Sequence, residues 1–224
     1  MAEYIRQQNI INQSRLEELR IAIIGAGSIG SFTALALAKM GCKHLALWDH
    51  DTVELHNISN QFFNKESFGE SKVSSVAAEC KRYTPSGIDV ETFNEFYYGQ
   101  PLDKYDIVIA LTDNIEGRKD AFEASKKSLQ TKFFIDGRMG GELVRILSLN
   151  IKDEKLCEKY FTDYIDGVRN EELPCTERTI IYNVMLPASI ITSYVKKFVN
   201  GEQTPFEFIF AFKTYDQVKS KEAS

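Results

Sequence analysis

Ile21-Ala22-Ile23-Ile24-Gly25-Ala26-Gly27-Ser28-Ile29-Gly30 decides how this chain is read. Four apolar residues run into a Gly-x-Gly-x-x-Gly turn, and the stretch from Phe32 to Met40 behind it favours a helix. The pattern predicts a buried strand, a tight turn and a helix. Gly25 permits the turn, Gly27 lets backbone approach a phosphate, and Gly30 allows close helix–strand packing. The helix N-terminus then offers unpaired N–H groups and the positive end of a dipole to an anion. A glycine fingerprint alone names no particular nucleotide. The next apolar run, Leu45-Ala46-Leu47-Trp48, ends in Asp49-His50-Asp51-Thr52-Val53-Glu54. Asp49 lies about 24 residues after Gly25, near the spacing at which a carboxylate reaches a ribose hydroxyl. A nucleotide is the expected ligand.

Working outward, strand and helix patterns alternate. Tyr4 to Leu19 reads as an N-terminal arm and short helix, with Ser14 and Glu17 spaced as a capping box. Residues 51–69 carry turn and capping types (Asn57, Ser59, Asn60, Gly69). A helix is expected from about Ser71 to Tyr83, ending before Thr84-Pro85 because the residue ahead of proline disfavours helix. Asp89 to Phe93 is a short strand, and Ile107-Val108-Ile109-Ala110-Leu111 has the continuous apolar run of a central parallel strand. A helix from Glu116 to Leu129 and a buried strand at Phe133-Phe134-Ile135 follow. Leu143 to Leu149 alternates and is expected as an antiparallel addition near the sheet edge. Asp163 to Leu173 reads as a flexible loop. Ile180 to Asn200 is the last long helix, closed by Gly201, and Phe206 to Phe212 an edge strand. The whole predicts an α/β chain with a Rossmann-like doubly wound, mostly parallel sheet and antiparallel additions in its C-terminal half. Residues 1–215 form one domain (1–19 being the arm and helix), and 216–224 a disordered tail.

Composition narrows the partners. The chain has 224 residues, 43% of them hydrophobic, enough for a sizeable core, and no Pro/Gly/Ser-rich linker divides it. A net charge of -5 and the lack of a basic stripe argue against nucleic acid. Cys42, Cys80, Cys157 and Cys175 form no CxxC pair, so a paired-cysteine zinc site is not expected, and sparse cysteines fit a reducing cytosol. The polar N-terminus does not read as a signal peptide. The apolar stretch from Val184 to Val199 is too interrupted to span a bilayer. A cytoplasmic protein with no membrane partner is expected.

Two further residues stand where such a sheet presents ligands. Lys72 falls at a predicted helix N-terminus, where the dipole disfavours a cation. A bound phosphate would remove that conflict, and a solvated lysine is the plainer alternative. Asp113, in Leu111-Thr112-Asp113-Asn114 at the end of the central strand, suits either a Mg²⁺ ligand or a helix N-cap. Asp51 has the same ambiguity between ligand and turn residue.

Together these stretches resemble the ThiF/MoeB family, the adenylating domain of ubiquitin-type activating enzymes. The likeness rests on Tyr4-Ile5-Arg6-Gln7, Gly25 to Gly30, Asp49 to Glu54, Asn57-Ile58-Ser59-Asn60-Gln61, Gly69-Glu70-Ser71-Lys72, and Thr112-Asp113-Asn114 with Arg118. It runs from about Tyr4 to about Gly201, in the family's order. The resemblance implies an enzyme that uses ATP and Mg²⁺ to adenylate the C-terminal carboxylate of a small ubiquitin-like (β-grasp) protein or a peptide. It implies that Asp49 holds the ribose, that Asn57, Asn60, Asn114 and Lys72 belong to the nucleotide site, and that Asp113 binds Mg²⁺. Arg6 would reach the phosphates of a neighbouring subunit's ATP in a homodimer. Two departures stand out. The family carries arginine where this chain has Asn60, and its paired-cysteine zinc site is missing. Cys175, ahead of the last helix, stands about where some relatives carry an acyl-accepting cysteine; a buried small hydrophobe is the alternative. Two other readings stay open: a nucleotide-binding pseudoenzyme or partner subunit, and an NAD-dependent oxidoreductase. Hydride transfer gives Lys72, Asp113 and Asn57 no task, whereas a triphosphate with Mg²⁺ uses all three.

Overall fold

The computed structural model describes residues 2–167 and 179–220. Its strands are β1 (Arg20–Ile24), β2 (His44–Trp48), β3 (Asp89–Phe93), β4 (Ile107–Ala110), β5 (Phe133–Gly140), β6 (Leu143–Asn150), β7 (Glu207–Ala211) and β8 (Asp216–Lys219). They form one sheet in the order β3-β2-β1-β4-β5-β6-β7-β8. The first five pair in parallel and the last three join antiparallel. The helices are α1 (Gln13–Glu18), α2 (Ser28–Met40), α3 (Lys72–Arg82), α4 (Ile115–Lys127), α5 (Glu154–Tyr160) and α6 (Ile181–Asn200).

Alternation along the buried strands builds two cores. Ile21 and Ile23 of β1 and Ile107 and Ile109 of β4 face one layer, with Leu37 of α2, Val76 of α3 and Ile191 of α6. Ala22, Ile24, Val108 and Ala110 face the other, with Phe122 of α4 and Tyr160 of α5. Burial on both faces explains why these strands read as unbroken apolar runs. An aromatic block backs the second layer: Trp48 stacks on Phe93 at 4.1 Å, and Tyr97 and Tyr105 meet it edge-on at 5.7 Å. Truncating a fully buried side chain such as Ile109 should cost about 2–5 kcal/mol.

Strand order reverses between β1 and β4, which makes the crevice above their C-terminal ends the expected ligand site. Register aligns Phe93, Trp48, Ile24, Ala110 and Asp136 in one row across the sheet. One residue beyond that row lie Gly25, Asp49, Leu111 and Gly137.

Several expectations need correcting. The cap of α1 is Asn12, whose side chain accepts from Arg15 N at 3.1 Å, and Ser14 lies inside the helix. α2 begins at Ser28, ahead of Phe32. Leu143–Asn150 is antiparallel but interior to the sheet, since β7 and β8 lie beyond it. The expected tail begins with a strand: Asp216–Lys219 pairs with β7, making β8 the edge. Backbone hydrogen bonds hold this exposed polar segment, so no hydrophobic pattern marks it. The stretch read as a loop from Asp163 begins in a π-helical turn, Phe161–Ile165, that continues α5. Asp153 caps α5 by accepting from Leu156 N at 3.1 Å. Cys157, Tyr160 and Tyr164 are its buried face.

Candidate functional site

The glycine turn is fixed by close approach. A Cβ on Gly30 would lie 1.9 Å from the Gly25 carbonyl oxygen, and one on Gly25 (φ 102°) would lie 2.6 Å from the Leu111 oxygen. Neither position admits another residue without backbone movement. Gly27 differs: the nearest atom to a Cβ there, Gln61 Oε1, is 4.0 Å away, so its face is open. Gly27 is also the N-cap of α2 and supplies no capping side chain. Among the described residues no side chain accepts from the first N–H groups of α2, as an anion site at a helix N-terminus requires.

Asp49 locks this turn from the next strand. Its Oδ2 accepts from Ala26 N at 2.8 Å and its Oδ1 from Asp51 N at 2.9 Å. Each carboxylate oxygen keeps accepting capacity for a sugar hydroxyl.

Lys72 is buried, not a solvated side chain. Its Nζ donates to Asp51 Oδ2 at 2.6 Å, and its backbone N–H donates to the Asp51 carbonyl at 3.0 Å. His50 Nε2 lies 3.1 Å from the other Asp51 oxygen. The Asp51 carboxylate thus resolves the conflict between a lysine and a helix N-terminus without a phosphate. Asp49, His50 and Asp51 bring ligand atoms within 4.8 Å of one another, but Asp51 is already committed to Lys72.

The 51–69 segment aims amides at the turn. Asn57 is buried, and its Oδ1 accepts from Glu54 N at 2.9 Å, which fixes the amide and leaves its NH₂ as the donor available to a ligand. Asn60 Oδ1 and Gln61 Oε1 are buried without a hydrogen-bond partner. An unmet buried polar atom costs roughly 1–3 kcal/mol, so both atoms favour a bound molecule that supplies donors. Gln61, the nearest neighbour of Gly27, has no signal in the sequence beyond its place in Asn57-Ile58-Ser59-Asn60-Gln61.

Asp113 is exposed at the end of β4 and does not cap α4. The cap is Asn114, whose Oδ1 accepts from Gly117 N at 2.8 Å. Asn114 Nδ2 donates to Asp113 Oδ1 at 3.2 Å. Among the described residues Asp113 has no cationic partner. A free, exposed carboxylate of this kind fits Mg²⁺, which prefers hard oxygen ligands and keeps several waters.

Behind it lies a buried network that the sequence reading missed. Arg118 donates to Asp136 Oδ1, to the Thr112 carbonyl, and at 3.1 Å to the Gly137 carbonyl. Asp136, fully buried, also accepts from Arg138 Nε at 2.9 Å and Tyr160 OH at 2.8 Å. Burial alone would raise the Asp136 carboxyl, but the two guanidinium groups outweigh it and hold it below the usual carboxylate range. Burial and the neighbouring Asp136 charge push Tyr160 up, so it stays a neutral donor. An acidic residue closing the run Phe133-Phe134-Ile135 was the available signal.

Hydrogen bonds thus link Asp49 to the glycine turn at Ala26 and to Asp51, and Asp51 to Lys72, while Gln61, next to Asn60, is the nearest neighbour of Gly27. Arg6 is exposed on the N-terminal segment, which Tyr4 and Gln7 anchor; Gln7 Nε2 donates to the Met40 carbonyl at 2.5 Å. Cys175 lies outside the described residues. The other three cysteines are free and buried. No helix among the described residues is long and apolar enough to cross a membrane.

Comparison with known proteins identifies the family and the fold. The model of the ThiF family matches residues 4–223. The adenylyltransferase and sulfurtransferase MOCS3-1 of Zea mays is 39% identical over 110 residues, 47% of this chain and 24% of that protein. Ubiquitin-like modifier-activating enzyme 5 of Drosophila simulans is 32% identical over 133 residues, 51% of this chain and 32% of that protein. The chain therefore spans only part of the length of the curated relatives it matches. Among solved structures, PaaA superposes with a TM-score of 0.77 at 21% identity, covering 99% of this chain and 70% of that one. MccB of E. coli, solved with AMPCPP and MccA, gives 0.72 at 18% identity, covering 95% and 66%. At such identities these two structures speak for the fold alone. With its family model matched from residue 4 to residue 223, the chain belongs to the ThiF family.

Proposed function

We propose that this chain binds ATP with Mg²⁺ above β1, β2 and β4 and adenylates the C-terminal carboxylate of a small β-grasp protein or peptide. The observation that carries the reading is the uncapped N-terminus of α2, flanked by Asp49 beyond one strand end and beyond another by Asp113, which has no cationic partner among the described residues. Asp49 takes the ribose, the α2 N-terminus with Asn57 and Lys72 takes phosphates, and Asp113 holds the metal, which supplies charge neutralisation when bound. Asn60, Asn114 and Gln61 complete the nucleotide contacts. A carboxylate oxygen of the substrate attacks the α-phosphorus, the bond to pyrophosphate breaks, and an acyl-adenylate forms. The MOCS3 and activating-enzyme relatives support this reaction class by their names.

The test is pyrophosphate exchange into ATP, run with candidate β-grasp proteins and peptides. Exchange that depends on both the carboxylate partner and Asp113 supports the proposal. ATP binding without exchange would favour a non-catalytic partner subunit, a reading that the uncharged Asn60 recommends. NAD binding tighter than ATP would leave the oxidoreductase reading instead.

Two extensions rest on the same reading. Arg6 serves the site of a second copy in a homodimer, so mixing inactive Arg6→Ala and Asp113→Ala proteins restores activity. Cys175 accepts the acyl group: its thiolate attacks the acyl carbon, the bond to AMP breaks, and a thioester forms. A cytoplasmic setting, with no nucleic acid or membrane involved, fits both.

A further inference from the structure

We infer that Arg118 is a positioning residue for Asp113, aiming the Thr112–Asp113 turn from a buried scaffold anchored on Asp136; the metal half of this inference rests on the function proposed above. Arg118 is rooted in the first turn of α4, yet its guanidinium reaches back under the end of β4. There it holds the carbonyls of Ala110, at 3.4 Å, and Thr112, which stand on either side of Leu111 in the stretch leading to Asp113. Its remaining bonds go to Asp136 and the Gly137 carbonyl on β5. Asp136 stands opposite Ala110 in the β4–β5 register, so one guanidinium ties the two strands together where β4 stops pairing.

The scaffold is closed on every side. Asp136 accepts from Arg118, Arg138 and Tyr160, and Arg138 donates onward to the Tyr164 carbonyl at 3.0 Å. A fully satisfied buried network specifies one arrangement, whereas a partly satisfied one does not. Two arginines share one carboxylate, so the cluster keeps one positive charge beneath the turn. Among the described residues Asp113 has no cationic partner and takes a side-chain bond from Asn114. Its direction is therefore set through the backbone, which Arg118 grips before Asp113 and Thr112 Oγ1, donating to the Asn114 carbonyl at 3.0 Å, grips after it. An exposed metal ligand needs such support, because loss of outer partners typically costs a site 10–100-fold in metal affinity.

The experiment uses the full chain and two readouts: amide hydrogen exchange over residues 112–117, and ATP affinity with and without Mg²⁺. Arg118→Lys keeps a cation beside Asp136 but cannot also span to Thr112. It should speed exchange over 112–117 about tenfold and remove about tenfold of the Mg²⁺-dependent gain in ATP affinity, leaving metal-free affinity unchanged. Adding Arg118→Lys to Asp113→Ala should cost no further Mg²⁺-dependent gain. Tyr160→Phe, which loosens Asp136 without touching the β4 carbonyls, should lower thermal stability and move both readouts much less than Arg118→Lys does. If Arg118→Lys does not fold, Arg118→Gln with Asp136→Asn keeps the net charge of the cluster and is read on the same scales. Unchanged exchange in the folded Arg118 variant, equal damage from Tyr160→Phe, or additive losses with Asp113→Ala would overturn the inference. If the wild-type protein gains no ATP affinity from Mg²⁺, the metal role of Asp113 falls, while the exchange readout still decides whether Arg118 sets the turn.

Discussion

Lys72 Nζ lies 2.6 Å from Asp51 Oδ2, and the lysine side chain is 9% exposed against 47% for the aspartate. The cation is thus the buried partner and the anion its link to solvent. Removing one member of a buried pair strands the other, which is worse than removing both. Asp51→Ala should lower the melting temperature by about 3–6 °C, corresponding to about 1–2 kcal/mol for a partly exposed pair in a chain of this size. Lys72→Met in the same background should recover most of that loss. Differential scanning calorimetry checks it; equal destabilisation in the single and double variants would sink the idea.

Gly27 and Gly30 should separate ligand binding from folding. Gly30→Ala drives a methyl into the Gly25 carbonyl and should cost more than about 3 kcal/mol, visible as insoluble or unfolded protein. Gly27→Ala enters open space and should leave the melting temperature within about 2 °C, yet weaken ATP about tenfold by blocking close approach to the helix N-terminus. Calorimetric titration beside thermal melts makes the comparison. Normal ATP affinity in Gly27→Ala would place the phosphates elsewhere.

Asp136 should shape the acid limb of stability. Its folded pKa is depressed below the unfolded value near 3.9, so it binds its proton more weakly when folded. Such a group contributes stability that is fully present above the unfolded value and is lost as the pH falls through the folded one. Asp136→Asn should cost about 3–5 kcal/mol at neutral pH by stranding two guanidinium groups. The same variant should show a shallower fall in urea midpoint below about pH 4. An unchanged acid limb would mean that other carboxylates set it.

The cysteines should differ in reactivity. Burial pushes the Cys42 and Cys80 thiols up to about 12, and raises Cys157 as well, so all three should resist alkylation at mildly basic pH in the native protein. Mass spectrometry after iodoacetamide treatment is expected to find the label on Cys175. Protection of Cys175 in native protein, with full turnover in Cys175→Ala, would remove it as an acyl acceptor.

The parallel half of the sheet was legible because β1, β2 and β4 are buried on both faces and wear that burial as unbroken apolar runs. Longer-range chemistry was not. Lys72 looks solvated in sequence because its partner, Asp51, sits 21 residues earlier and meets it only through the fold. Asp113 and Asn114 are both good caps, and only the local backbone assigns the task to Asn114. α5 carried a signal in Asp153 and in the spacing of Cys157, Tyr160 and Tyr164, but its charged residues masked the short apolar face. β8 carried almost none, as its four residues are all exposed.

The register row ends β1, β2, β3 and β4 together, while β5 continues for four residues, Gly137–Gly140, before turning back into β6. At about 3.3 Å per residue, that hairpin rises roughly 13 Å above the neighbouring strand ends. The sheet is consequently a floor with a single parapet. The step stands on the antiparallel side of the glycine turn, while Gln61 of the 51–69 segment is the nearest neighbour of Gly27. Unequal strand lengths thus build one wall beside the strand ends from backbone alone.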